Sequence, residues 1–472
     1  MELTKKVWHD ENSEPPKNYL WAKGGKLFKY IEGQWKEVSK KDSENVGIDD
    51  VVKFVLQTGS NEPLFNTYEE IPDLKDIDVS TFTDGVYKGT AEEAEALDTA
   101  NENLEVSTTL STSSYGIYNV SVRPEYIPFT IEALGEGNIS WALDNLTVQY
   151  SKNGGEWTTM DAETTVAVVA GDSLAFKGEN ASYSGKKVAS TGNIGVKGNI
   201  MSLIAGDNFS DATTVGNNAF QAFFQNCTSL ISASKLALPA TTLGNVCYLG
   251  MFGGCSNLVE GPKVLPALTL TNQCYSNMFQ NCTNLVAAPK ILATTIGQSS
   301  CQYMFGGCSS LVNAPALPAE TLDYNCYYHM FDGCTSLTTA PELPATTLKN
   351  MCYLGMFMGC TSLVNVPAEL PATTLINSCY ERMFEGCTSL TTAPVLPATT
   401  ILGYCYYAMF SGCSSLNYVK AMFTTTPTSG GHSGEWLKNV SATGTFVKNS
   451  GASWDDRGDY AVPTGWTIET AS

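Results

Sequence analysis

Cysteines are the residues of this chain with the most chemical scope, and their spacing decides what is open to them. The first of two periodic slots holds Cys227, Cys255, Cys282, Cys308, Cys334, Cys360, Cys387 and Cys413, each three positions after a phenylalanine, at intervals of 28, 27, 26, 26, 26, 27 and 26 residues. The second slot holds Cys247, Cys274, Cys301, Cys326, Cys352, Cys379 and Cys405, which accounts for all 15 cysteines. A zinc site wants close thiolate pairs such as CxxC, commonly backed by histidine. The chain has no CxxC, and its histidines are His9, His329 and His432, so no metal and no other cofactor is expected. An odd count in periodic slots argues against a disulfide framework, although equivalent cysteines of neighbouring repeats come near bridging distance. The expectation is reduced thiols acting as small apolar core residues.

No catalytic constellation accompanies them. GxSxG, GxxxxGK[ST] and HExxH are absent, and three scattered histidines give a nucleophile nothing to pair with. The chain is not expected to be an enzyme. A carboxylate pair of the glycoside-hydrolysing kind is the one catalytic alternative left open.

A binding site has better candidates. The position after the second cysteine supplies Tyr248, Tyr275, Tyr327, Tyr353, Tyr380 and Tyr406, with Gln302 breaking the series. Stacked units would set these rings about 5 Å apart. Such a row either binds polysaccharide or a protein surface, or packs on itself along the flank. A second face is offered by Val312-Asn313, Thr338-Thr339, Val364-Asn365 and Thr391-Thr392. From 209 to 420 there are nine acids and six bases, so both faces carry little charge.

The elements that must position these residues come from one recurring phrase, read at Cys334 as CTSLTTAPELPATTLKNMCYLGMF. A fixed period of this length means units that are stable only by stacking on neighbours. Leu348, Cys352, Met356, Cys360 and Leu363 fall at steps of 4, 4, 4 and 3, which predicts a helical face, with Thr346 and Thr347 at its N-cap and Gly359 near its end. LVNVPAELP predicts a short strand. Seven stacked intervals at roughly 4.8 Å give a rod about 35 Å long. The expected fold is therefore an α/β solenoid of short parallel strands and helices.

The run LxxAPxLPATTLxxxCYxxMFxGC resembles the BspA-like class of leucine-rich repeat over residues 209 to 420, with Leu292 in place of the usual proline in the third copy. That resemblance implies adhesion or binding through a repeat surface and names no ligand.

Before the repeats the sequence divides into three. Residues 1 to 41 are lysine-rich and alternate apolar with polar residues around turns at Gly24-Gly25 and Glu32-Gly33, a small β-meander. Trp21, Leu27, Tyr30 and Trp35 are expected on its buried face. Either it is simply a little sheet, or Trp8, Tyr19, Trp21, Phe28 and Trp35 anchor the chain to a larger assembly. Residues 42 to 120 read as an acidic linker with short helices over 49–57 and 90–105. Residues 121 to 208 alternate in the manner of a β-sandwich, with Asn153-Gly154-Gly155 as the clearest hairpin turn, and resemble the small β-domains placed before BspA-like repeats in gut bacterial and phage proteins. Residues 421 to 472 read as a C-terminal β cap that closes the last unit.

A formal charge of −20 argues against nucleic acid or an anionic membrane as partner. No run of 18 apolar residues occurs, and MELTKKVWHD lacks the apolar core of a signal peptide. With a basic head and an acidic linker, reduced cysteines and no export signal, the leading expectation is a phage virion protein made in the host cytoplasm, a head fibre, decoration or tail-associated adhesin, and the chain resembles such proteins of phages infecting gut Bacteroidetes. It would attach to other virion proteins through its N-terminal module, meet a host-surface or gut glycan or protein through the repeats, and form a dimer or trimer without membrane insertion. The alternative is a bacterial cell-surface adhesin of the same repeat class.

Overall fold

The computed structural model describes the strands of the first 122 residues named below and residues 124–471, except 163, 429, 430 and 459. The chain divides into two compact units, Met1–Tyr126 and Ile127–Ser472.

The first unit contains two sheets. Strands β1 (Val7–Trp8), β2 (Leu20–Lys23), β3 (Lys26–Ile31) and β4 (Gln34–Glu37) pair in that order, β1 parallel to β2 and the rest antiparallel. Strands β2, β3 and β4, each antiparallel to the one before, follow the order of the expected meander. Strands β5 (Gly85–Gly89), β6 (Leu104–Ser111) and β7 (Gly116–Val122) form an antiparallel sheet in the order β5-β7-β6. Leu104 and Glu105, expected to end a helix, begin a strand, because LEVSTTLS is rich in β-branched residues. The helix expected over 49–57 lies outside the described residues.

The second unit opens as two packed sheets. One has the order β11-β10-β13-β8-β15-β17 and the other β12-β9-β14. Their strands are β8 (Thr130–Ala133), β9 (Gly137–Trp141), β10 (Val148–Lys152), β11 (Thr158–Met160), β12 (Thr165–Val168), β13 (Ser173–Gly178), β14 (Val188–Ser190), β15 (Ile194–Asn199) and β17 (Leu230–Ala237). β10 and β11 turn at Asn153 and Gly154, both left-handed, at φ 52° and 72°. Phe129, Trp141, Phe176 and Tyr183 fill the core between the sheets. A single helical turn, α1 (Ser202–Ala205), then leads into the repeats.

The α/β solenoid expected for the repeats does not form. Strand outweighs helix throughout, in several small sheets, and α1 is the only α-helix among the described residues. Short parallel pairs remain where strands were expected, β19 (Val264–Leu265) with β20 (Lys290–Ile291) and single bridges such as Asn313 to Thr339, and β16 (Thr214–Val215) pairs with β18 (Thr242–Leu243) where a helix cap was expected. Where helices were expected, each unit runs as a train of four-residue turns. Met351, Gly355 and Gly359 all have positive φ, at 58°, 59° and 70°, and no α-helix accommodates a left-handed residue every fourth position.

Backbone hydrogen bonding explains why the train is stable. The N–H groups of Tyr353, Gly355, Phe357 and Gly359 donate to Cys379, Glu381, Met383 and Glu385 of the next unit, at 2.7 to 3.0 Å. Those of Leu354, Met356, Met358 and Cys360 close turns onto the carbonyl three residues back. Half the donors of this stretch are therefore satisfied only by a neighbour, and a buried unpaired N–H is costly.

Side chains obey the same spacing. The middle left-handed position carries a side-chain pair with the residue three further on in every second unit: Asn277 with Gln280 at 2.7 Å, and His329 with Asp332, Arg382 with Glu385 and Glu435 with Lys438 at 3.0 Å. The units between have Gly250, Tyr303, Gly355 and Ala408 there. A Cβ on Gly355 would stand 2.5 Å from the imidazole of His329, so the rung that follows this pair has no room for a side chain.

Both ends of the repeats continue into their flanks. Tyr183 stacks on Phe220, and Phe220 on Tyr248, so the two-sheet core and the repeat core are one. At the far end β21 (Tyr418–Ala421), β22 (Gly444–Lys448) and β23 (Trp466–Thr470) extend the parallel pairing. Trp436 donates its indole N–H to Ala461 and closes the core.

Two substitutions test this packing. Gly355→Ala should cost about 2 kcal/mol or more in denaturant unfolding, and in a His329→Ala background only the left-handed penalty of about 1 kcal/mol should remain. Equal costs in both backgrounds would contradict the rung-on-rung contact.

Candidate functional site

The tyrosines expected to form a binding row are core residues. Tyr248, Tyr275, Tyr327, Tyr353, Tyr380 and Tyr406 are 1 to 2% exposed, and a ring so covered has no face to offer a ligand. They stack on each other at 5.6 to 6.2 Å between centroids where they are consecutive. Burial pushes their phenols well above the usual tyrosine range. A parallel column of phenylalanines, Phe224, Phe252, Phe279, Phe305, Phe331, Phe357, Phe384 and Phe410, stacks at 5.2 to 5.6 Å.

The break in the tyrosine column differs from the sequence reading. The backbone N–H of Tyr275 donates to the carbonyl of Ser300, and that of Cys301 to the carbonyl of Cys326. Ser300 thus occupies a cysteine slot and Cys301 the tyrosine slot, a one-residue offset hidden by the adjacent cysteine. The Ser300 hydroxyl is fully buried and makes no hydrogen bond of good geometry. Ser300→Cys, which restores the residue used by the other units, should raise stability by about 1 kcal/mol, read as an upward shift in the thermal midpoint; a downward shift would contradict the assignment of slots.

All fifteen cysteines are buried and unbridged. Seven first-slot thiols donate to a phenylalanine carbonyl of the preceding unit, as Cys360 does to Phe331 at 3.1 Å and Cys387 to Phe357 at 3.1 Å. That bond needs the protonated thiol, and burial pushes the thiols of Cys282, Cys334 and Cys413 up to about 12. A thiol whose pKa rises on folding stabilises the fold fully below its unfolded value of about 8.5, and the contribution disappears as the pH climbs to the folded value. Stability should accordingly fall between about pH 9 and 12, and native protein at neutral pH should resist a maleimide that labels it in denaturant. Rapid native labelling would overturn this placement.

The five aromatics assigned to anchoring are only partly described. Tyr19 lies outside the described residues. Trp8 pairs in register with Trp21, Trp21 with Phe28, and Tyr30 with Trp35. Leu27 pairs with Ala22.

With the rings inside, the accessible surface of the repeats includes two lengthwise walls. One is the expected strand face, where Val312-Asn313, Thr338-Thr339, Val364-Asn365 and Thr391-Thr392 are all exposed. Sequence reading overlooked the other, having given Thr346 and Thr347 to a helix cap. Thr241-Thr242, Thr294-Thr295, Thr346-Thr347, Thr373-Thr374 and Thr399-Thr400 are exposed pairs in successive or near-successive units, and bridges such as Thr269 to Thr295 and Thr321 to Thr347 align them. The recurring ATT of the phrase was the available signal.

Two units depart from the threonine pattern: Leu268 and Glu320 stand where Thr241, Thr294, Thr346, Thr373 and Thr399 stand in theirs. Beside Glu320, Tyr324, 45% exposed, stands where Asn245, Asn272, Asn350 and Asn377 stand in their units. Glu320 and Tyr324 line a cleft of about 720 Å³ with Thr294, Thr295, Asp323 and Lys349.

No group of three or more metal-ligating side chains occurs among the described residues, and none of their helices is long and apolar enough to cross a membrane. Comparison with protein-family models, with curated proteins and with solved structures finds no match to this chain.

Proposed function

We propose that this chain is a non-catalytic virion protein of a phage, a head fibre, decoration or tail-associated adhesin, whose first unit attaches to other virion proteins and whose repeats meet a host-surface or gut glycan or protein. The observation that carries the reading is the pair of long, weakly charged walls on a rigid, internally bonded stack: repeated like sites let individually weak contacts sum. The likeness of the repeat phrase to BspA-like proteins supports a binding role. Thiols that are buried, protonated and engaged by carbonyls support folding in a reducing compartment, which favours assembly inside a host cell over export to a bacterial surface. Assembly as a dimer or trimer would multiply the walls further.

Mass spectrometry of purified particles should find this chain at many copies per virion, and the fluorescently labelled full chain should stain cells of the host strain. Its absence from particles contradicts the virion assignment. Staining no stronger than that of an unrelated acidic protein contradicts the binding role.

A further inference from the structure

The departure at Glu320 and Tyr324 concentrates, on one rung of the threonine wall, the groups that recognise a sugar. We propose that the cleft between Thr294 and Lys349 is a binding subsite for a neutral saccharide; the proposal rests on the binding role given above and names its ligand class.

The cleft, at about 720 Å³, is of the size that small-molecule sites take, roughly 300 to 1,000 Å³. Tyr324 contributes an exposed aromatic face of the kind that packs against the C–H face of a pyranose. Lys349 sits 5.9 Å from the centre of that ring, positioned to donate to a ring or hydroxyl oxygen. Asp323 accepts the Tyr324 N–H through Oδ1 at 2.8 Å, which fixes the carboxylate and leaves Oδ2 to accept from a hydroxyl. Glu320 adds a second acceptor, and the hydroxyls of Thr294 and Thr295 complete a lining rich in both donors and acceptors. Two carboxylates against one ammonium, on a chain of charge −20, disfavour uronic and sialic acids. A second groove, of about 410 Å³, shares Pro318 with the cleft and is lined besides by Ala316, Pro341 and Pro344; its more apolar lining suits a peptide better than the cleft does.

The repeat itself supplies variants that keep the fold. Asparagine occupies the Tyr324 position in four other units and threonine the Glu320 position in several, so Tyr324→Asn and Glu320→Thr change the cleft to the surface its neighbours already have. Isothermal titration of the full chain with cellohexaose, maltohexaose and mannohexaose, and with hexagalacturonate as the anionic control, tests the idea. At least one neutral hexamer should bind, hexagalacturonate should not, and each substitution should weaken binding tenfold or more while the thermal midpoint holds. The proposal is overturned if none of the three neutral hexamers binds, if the anionic hexamer binds best, or if both variants bind as the parent does. Host-cell staining separates this from the broader reading: a chain that stains cells yet ignores these sugars loses the subsite and keeps the binding role, and one that does neither loses both.

Discussion

The repeats depend on one constraint: in each train of turns every second backbone N–H finds its acceptor only on the next unit. A unit on its own leaves those donors without partners, so neighbours must lie in register at the spacing of paired strands, about 4.8 Å. Everything lateral follows from that spacing. Flat rings stack at close to it, which is why phenylalanine and tyrosine form columns. Thiols fit beneath a neighbouring carbonyl and bond to it, which gives cysteine a packing role that a redox or metal reading would miss. Bulky polar pairs recur in alternate units, and beside one of them Gly355 makes room for His329.

The same constraint shapes the surface. With aromatic and sulfur groups drawn inward, the outside is left to threonine, asparagine and valine in straight lines, and its chemistry becomes monotonous along the stack. A departure from the phrase on that surface therefore stands out. Glu320 and Tyr324 have no task in the core, and they converge on a cleft.

Much of this was legible in the sequence, and the failures have physical causes. The period, the stacking, the buried reduced thiols, the hairpin at Asn153-Gly154 and the meander near the N-terminus were readable because each rests on local chemistry. Helix was the wrong inference from Leu348, Cys352, Met356 and Cys360, since a helix of 3.6 residues per turn makes a strict step of four drift about 40° each time; an undrifting period of four belongs to successive four-residue turns. The tyrosine row was placed correctly in sequence and wrongly in space, because a ring beside a buried cysteine at Cys352-Tyr353 is covered by the next unit as well. The Ser300-Cys301 offset could not be seen without the inter-unit hydrogen bonds, and the threonine wall was overlooked once Thr346 and Thr347 had been assigned to a cap.

The claim on which the account turns is that these units are trains of turns bonded to their neighbours and contain no helices. Far-ultraviolet circular dichroism of the full chain tests it most directly. The account predicts a spectrum of strand and turn with little helical signal; the double minimum of an α-helix, at a strength corresponding to one helix in each of the eight cysteine-bearing units, would contradict it.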